Sequence, residues 1–184
     1  MNENDLWMLS YYRVSEIGGA MFFGRLARTL PPGVIQSDMT QHFADEAQHA
    51  ALWTKCIRDM GTEPLRVAGA YQDQYLAVTG MPINLMEVFA ITQVFEQRVL
   101  RQYSHHLSIP DAPEPVRRTL HQIMADEKWH ISWIRRELLR MEARYGREEI
   151  EKTVRRMQAA DREVYHKMTV EHSERAAYIT SKAM

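Results

Sequence analysis

The chain has 184 residues, a net charge of −1, 45% hydrophobic and 26% charged residues. That length fits one domain with a sizeable core, and the near-neutral charge provides no basic footprint for nucleic acid and no field toward a membrane surface. The single cysteine, Cys56, excludes an internal disulfide, a cysteine-based zinc site and a rubredoxin-type iron site.

The opening residues Met1-Asn2-Glu3-Asn4-Asp5 are acidic and lack the basic start and apolar run of a signal peptide. No apolar stretch approaches the roughly 20 residues of a membrane span, so a cytoplasmic location is expected. The first helix is expected from about Asp5 to Leu30, stopped by Pro31-Pro32-Gly33. Ser37 and Asp38 are the expected caps of the second, which fades at Gly61. Residues 62–83 have weak periodicity and read as a long crossover, with a short helix around Tyr71 to Val78. Asn84 followed by Glu87 resembles a capping box at the head of a third long helix that ends near Leu107. The next opens at about Pro115 and runs to Gly146. A last, polar and amphipathic helix follows, with Ile150, Val154, Met157, Val164 and Met168 on its buried side.

The fold expected from this order is all-α. Two short connections make two antiparallel hairpins, and the long crossover joins them into a four-helix bundle over residues 1–146. Residues 147–184 form a C-terminal fifth helix packing on that bundle.

Two segments of the chain repeat. Ala44-Asp45-Glu46-Ala47-Gln48-His49 and Ala125-Asp126-Glu127-Lys128-Trp129-His130 share the pattern A-D-E-x-x-H. Glu16 lies 30 residues before Glu46, and Glu96 lies 31 before Glu127. At a rise of ~1.5 Å per residue, each upstream glutamate reaches roughly the depth of its partner motif. Glu and His at i and i+3 share a helical face, so all six side chains can converge near mid-bundle. The flanks are apolar: Gly18, Gly19, Ala20 and Phe23 follow Glu16, and Phe89, Val94, Phe95 and Val99 surround Glu96. Burying carboxylates there is costly unless they are paired or bind metal. Glu16, Glu46, His49, Glu96, Glu127 and His130 are therefore the expected ligands of two metal ions, with buried ion pairs as the alternative. Glu87 is the competitor of Glu96, but its capping role explains it. A third E-x-x-H, at Glu163 and His166, lacks the preceding aspartate and the upstream glutamate and reads as a solvated face.

Other residues surround this set. Asp45 and Asp126, four residues before the histidines, are placed to accept the second imidazole N–H, as carboxylates do beside metal-bound histidine. Their plain alternative is a charged helix surface. His42 lies one turn before Glu46, where it either touches the site or is a satisfied core or rim histidine. Tyr12 and Thr92, one turn before Glu16 and Glu96, either assist proton transfer or are core residues with satisfied hydroxyls. Trp53, Trp129 and Trp133 read as core, and His105 and His106 as surface.

Together these residues resemble the ferritin-like di-iron carboxylate superfamily, which includes bacterioferritin, rubrerythrin and the bacterial di-iron oxygenases. The resemblance covers about residues 5 to 146, and the stretch from Asp126 to Trp133 looks especially like bacterioferritin. It implies two iron ions, or a manganese–iron pair, with Glu46 and Glu127 bridging. Glu16 with His49 would complete one iron, and Glu96 with His130 the other. Bacterioferritin usually has a haem-ligating methionine directly after the second-helix glutamate; Ala47 stands there, so no haem is implied. One cysteine also cannot build the four-cysteine electron-transfer module usual in rubrerythrin.

The function expected is O2 activation to oxidise or hydroxylate a small organic substrate, with an external electron donor and a homo-oligomer, a dimer being favoured. The alternatives are a ferroxidase with iron storage, a rubrerythrin-like peroxidase, and a helical interaction module without chemistry.

Overall fold

The computed structural model describes residues 2–69 and 71–172. They form six α-helices and no strand: α1 (Glu3–Thr29), α2 (Val34–Asp59), α3 (Tyr71–Thr79), α4 (Leu85–Leu107), α5 (Glu114–Tyr145) and α6 (Arg147–Glu171). The part of the expected C-terminal helix beyond residue 172 lies outside the described residues. The chain divides into two compact units, Met1–Gln74 with Pro113–Thr119, and Tyr75–Ala112 with Leu120–Met184.

The first unit is built on the α1–α2 hairpin. α1 starts earlier than Asp5 because Asn2 caps it. The Asn2 side chain accepts the Asp5 N–H at 2.9 Å, and Asp5 accepts the Asn2 N–H at 3.2 Å, a reciprocal capping box. α2 also begins early, at Val34. Ser37 and Asp38 are therefore not its caps. The turn is complete by Gly33, whose carbonyl already accepts the Ser37 N–H at 3.0 Å, and this leaves both side chains inside the helix. The hairpin is antiparallel along its length. Arg13 donates to Thr54, Glu16 meets His49, Phe23 stacks on His42, and Gln36 reaches back to the Ala27 carbonyl. As the α1 numbers rise, the α2 numbers fall.

Burial of Trp53 and Ile57, both fully inside, stabilises this seam by ~1.5–3 kcal/mol per side chain. The connection after α2 is tied along α1: Leu65 N–H donates to Ser10 Oγ and Gln72 Nε2 to the Ser15 carbonyl, each at 2.9 Å. The first turns of α5 join the end of α2, where Arg118 lies 3.5 Å from Asp59 and Cys56 is hydrogen-bonded to Thr119.

In the second unit, Asn84 caps α4 by accepting the Glu87 N–H at 2.9 Å. The expected box is only half formed. The Glu87 carboxylate turns instead to the Ile83 N–H at 3.0 Å and the Arg156 guanidinium at 2.5 Å. Phe89, early in α4, meets Trp133, late in α5, edge to face, as an antiparallel pair requires. Gly146, at φ 79°, takes the left-handed conformation that turns the chain from α5 straight into α6.

α6 docks on α4. Its buried stripe of Ile150, Thr153, Met157, Ala160, Val164 and Met168 follows the i, i+3, i+4 spacing of an amphipathic helix. Val154, expected in that stripe, is only half-buried at its edge. Arg98 pairs with Asp161 at 3.0 Å, both nearly buried, and the Tyr75 hydroxyl donates to the Met157 carbonyl at 2.8 Å. Burial, with Asp161 nearby, pushes the Tyr75 phenol well above its ordinary range.

No helix among the described residues is long and apolar enough to cross a membrane.

Candidate metal centre

Each of the four long helices α1, α2, α4 and α5 carries polar groups in the middle of an otherwise apolar buried stripe. On α2 the stripe reads Met39, His42, Glu46, His49, Trp53 and Ile57; on α5 it reads Leu120, Ile123, Glu127, His130, Trp133 and Ile134. Helical periodicity places these side chains inward, where a hydrophobic sequence would have Leu or Ile. Glu16, Glu46, His49, Glu96, Glu127 and His130 are all 5% exposed or less. Concentrating such groups inside a core costs several kcal/mol per charge unless something compensates.

In the first unit, Glu16, Glu46 and His49 each offer one donor atom, and these atoms lie within 4.8 Å of one another. His49 Nδ1 is 3.8 Å from Glu16 Oε2. Gly19, one turn after Glu16, faces Glu46. A Cβ built there would overlap the Glu46 carboxylate and lie 3.1 Å from its Cδ. Glycine is what lets this carboxylate lie flat against α1. His42, also on α2, is fully buried, and its Nε2 lies 3.2 Å from Glu46 Oε1.

In the second unit, Glu96 and His130 bring donor atoms within 4.8 Å of each other, and His130 Nδ1 lies 3.2 Å from Glu127 Oε2. Buried Glu and His clusters of this kind could hold a metal ion. The Gly19 cradle and the inward turn of every donor fit such a group.

The other residues singled out by sequence are distributed differently. Tyr12 is buried, its ring 5.2 Å from Trp53. Thr92 is buried, and its hydroxyl donates to the Val88 carbonyl at 2.9 Å within α4. Asp45 is half-buried and accepts from Gln41 Nε2 at 2.7 Å, and Asp126 is on the exposed side of α5. Glu163 and His166 are exposed. Trp53 and Trp133 are core, but Trp129 is not. It is 38% exposed, lies flat on Trp133 at 5.7 Å and approaches His130 edge-on at 5.5 Å. Its position between Glu127 and His130 in the motif turns it off the buried stripe, which a reading by residue type misses.

One buried carboxylate had no sequence signal. Glu137, four residues after Trp133 on α5, is buried and held by Arg140 at 2.6 Å, an ordinary i, i+3 pair.

Comparison with protein-family models, with curated proteins and with solved structures finds no match for this chain.

Proposed function

We propose that this chain is a non-haem di-iron oxidoreductase of the ferritin-like kind, oxidising or hydroxylating a small organic substrate with O2. The observation that carries the reading is the duplicated set of buried donors, Glu16, Glu46 and His49 in one unit and Glu96, Glu127 and His130 in the other. Four carboxylates and two imidazoles, from two E-x-x-H motifs and one upstream glutamate for each, match the donor requirement of a two-metal centre in a helical bundle.

Bound iron would supply the electron and O2 chemistry. The protein's own contribution is positioning. Glu46 and Glu127, each beside a histidine at 3.2 Å, would hold the metal together with the motif histidines. Tyr12 and Thr92, one turn before Glu16 and Glu96, are the groups proposed to move protons. The buried apolar residues Phe23, stacked on His42, and Trp133, on the α5 stripe with Glu127 and His130, would keep bulk water from the donors. Turnover would draw electrons from an external donor.

Iron stoichiometry tests this. Apo-protein is loaded anaerobically, given a large excess of Fe(II) and exposed to O2, and the irons oxidised and retained per chain are counted. Two per chain followed by a halt is expected. Tens retained in a large particle would make the chain a storage ferroxidase instead. Rapid Fe(II) oxidation by peroxide in preference to O2 would favour a peroxidase. No binding of iron, manganese or cobalt would sink the metal reading altogether.

A further inference from the structure

We infer that His42 is a direct metal ligand, a third imidazole donor beside those of His49 and His130. The inference rests on the metal reading above and extends it to a residue outside both E-x-x-H motifs.

Three observations carry it. His42 is fully buried on the same stripe of α2 as Glu46 and His49. Its Nε2 lies 3.2 Å from Glu46 Oε1, the same separation as between His130 and Glu127. Two donors bound to one metal at ~2.0–2.2 Å, at the near-right angles of octahedral coordination, are about 3 Å apart, so this is the spacing of atoms that share a metal. The ring is also held in place: it stacks on Phe23 with centroids 3.9 Å apart and planes 24° apart. That contact fixes the imidazole plane before any metal arrives, which is how a ligand is preorganised.

The sequence repeat makes the point sharper. Four residues before Glu46 stands His42; four before Glu127 stands Ile123, also fully buried. At this inward position one turn before the glutamate, the two helices therefore differ by a donor. With His42 as a ligand, the α1–α2 hairpin offers two imidazoles and the α4–α5 pair one.

The competing role for His42 is a positioning group that hydrogen-bonds Glu46 without touching metal. Affinity does not separate the two, since losing an outer partner also weakens metal binding ~10–100-fold. Counting coordinated imidazoles does. The full chain is loaded with Co(II), and its proton NMR spectrum is recorded in H2O and D2O. Each coordinated histidine keeps one exchangeable, strongly shifted ring N–H. Three such signals are expected in wild type, with one lost in His42→Gln and the other two retained. Two signals in wild type, both present in His42→Gln, would overturn the inference and leave the metal reading intact. If Co(II) produces no shifted signals at all, both fall together. Should His42→Gln not fold, the wild-type count still decides.

Discussion

Gly19 on α1 and Glu46 on α2 meet where no side chain other than hydrogen fits: a Cβ at position 19 would occupy the space of the Glu46 carboxylate. The two residues are 27 apart in sequence, and the contact exists because the antiparallel hairpin brings them level. Gly19→Ala will therefore move Glu46. The atom displaced is the far end of a flexible side chain, and alanine favours helix by ~1 kcal/mol over glycine. The apo-protein should keep its stability within about 1 kcal/mol, while metal affinity falls at least ~10-fold. Calorimetric titration with Co(II), beside thermal melts of the apo-protein, checks this. Unchanged affinity would mean that Glu46 does not bind metal in the position it occupies here.

Metal loading should stabilise the fold, because the ligands converge only in the native state. A ligand at 100 times its Kd adds ~2.7 kcal/mol. For a chain of this size each kcal/mol is worth ~2–4 °C, so the melting temperature should rise by about 5–10 °C with Co(II) and return with a chelator. The double variant Glu46→Ala, His130→Ala should show no metal-dependent shift. A chelator-insensitive melt in wild type that has been shown to contain metal would contradict the coupling.

The Arg98–Asp161 pair fastens α6 to α4 with little help from solvent, each side chain being about nine-tenths buried. Removing one partner leaves an uncompensated buried charge, at ~3–5 kcal/mol. Asp161→Ala should lose about that much in urea unfolding, and the paired replacement Arg98→Met, Asp161→Leu should recover most of it. A loss under about 1 kcal/mol for Asp161→Ala would show that α6 is held by its apolar stripe alone.

Burial pushes the Cys56 thiol above its ordinary value of 9.0, with the Thr119 hydrogen bond and nearby Arg118 and Lys55 acting the other way. The folded thiol thus stays protonated at a pH where the unfolded one ionises. Its contribution to stability is full below about pH 9 and is lost as pH rises toward the folded value. Native protein at pH 8 should react with iodoacetamide at least ~10-fold more slowly than unfolded protein, because thiolate is the reactive form. Cys56→Ala should flatten part of the alkaline fall in stability. Equal alkylation rates in the two states would refute the buried position.

The sequence by itself determined the all-helical class, the positions of the long helices to within a few residues, and the inward phase of the motif residues. These follow from periodicity and from Pro and Gly punctuation, which are local. The cap at Asn2 and the early start of α2 were harder to read, because several polar residues near a helix start can serve as cap and the turn geometry decides among them. Only tertiary structure decided the rest. Trp129 looks like core by type, yet the stripe that buries Glu127 and His130 leaves it outside. The same packing makes Gly19 a necessity rather than a small residue near a ligand. It also lays the His42 ring on Phe23 of the neighbouring helix. Each of these depends on which groups on another helix, or on the next turn, fill the space beside a side chain. That information lies in the packing of helices and not in the spacing of residues along one of them.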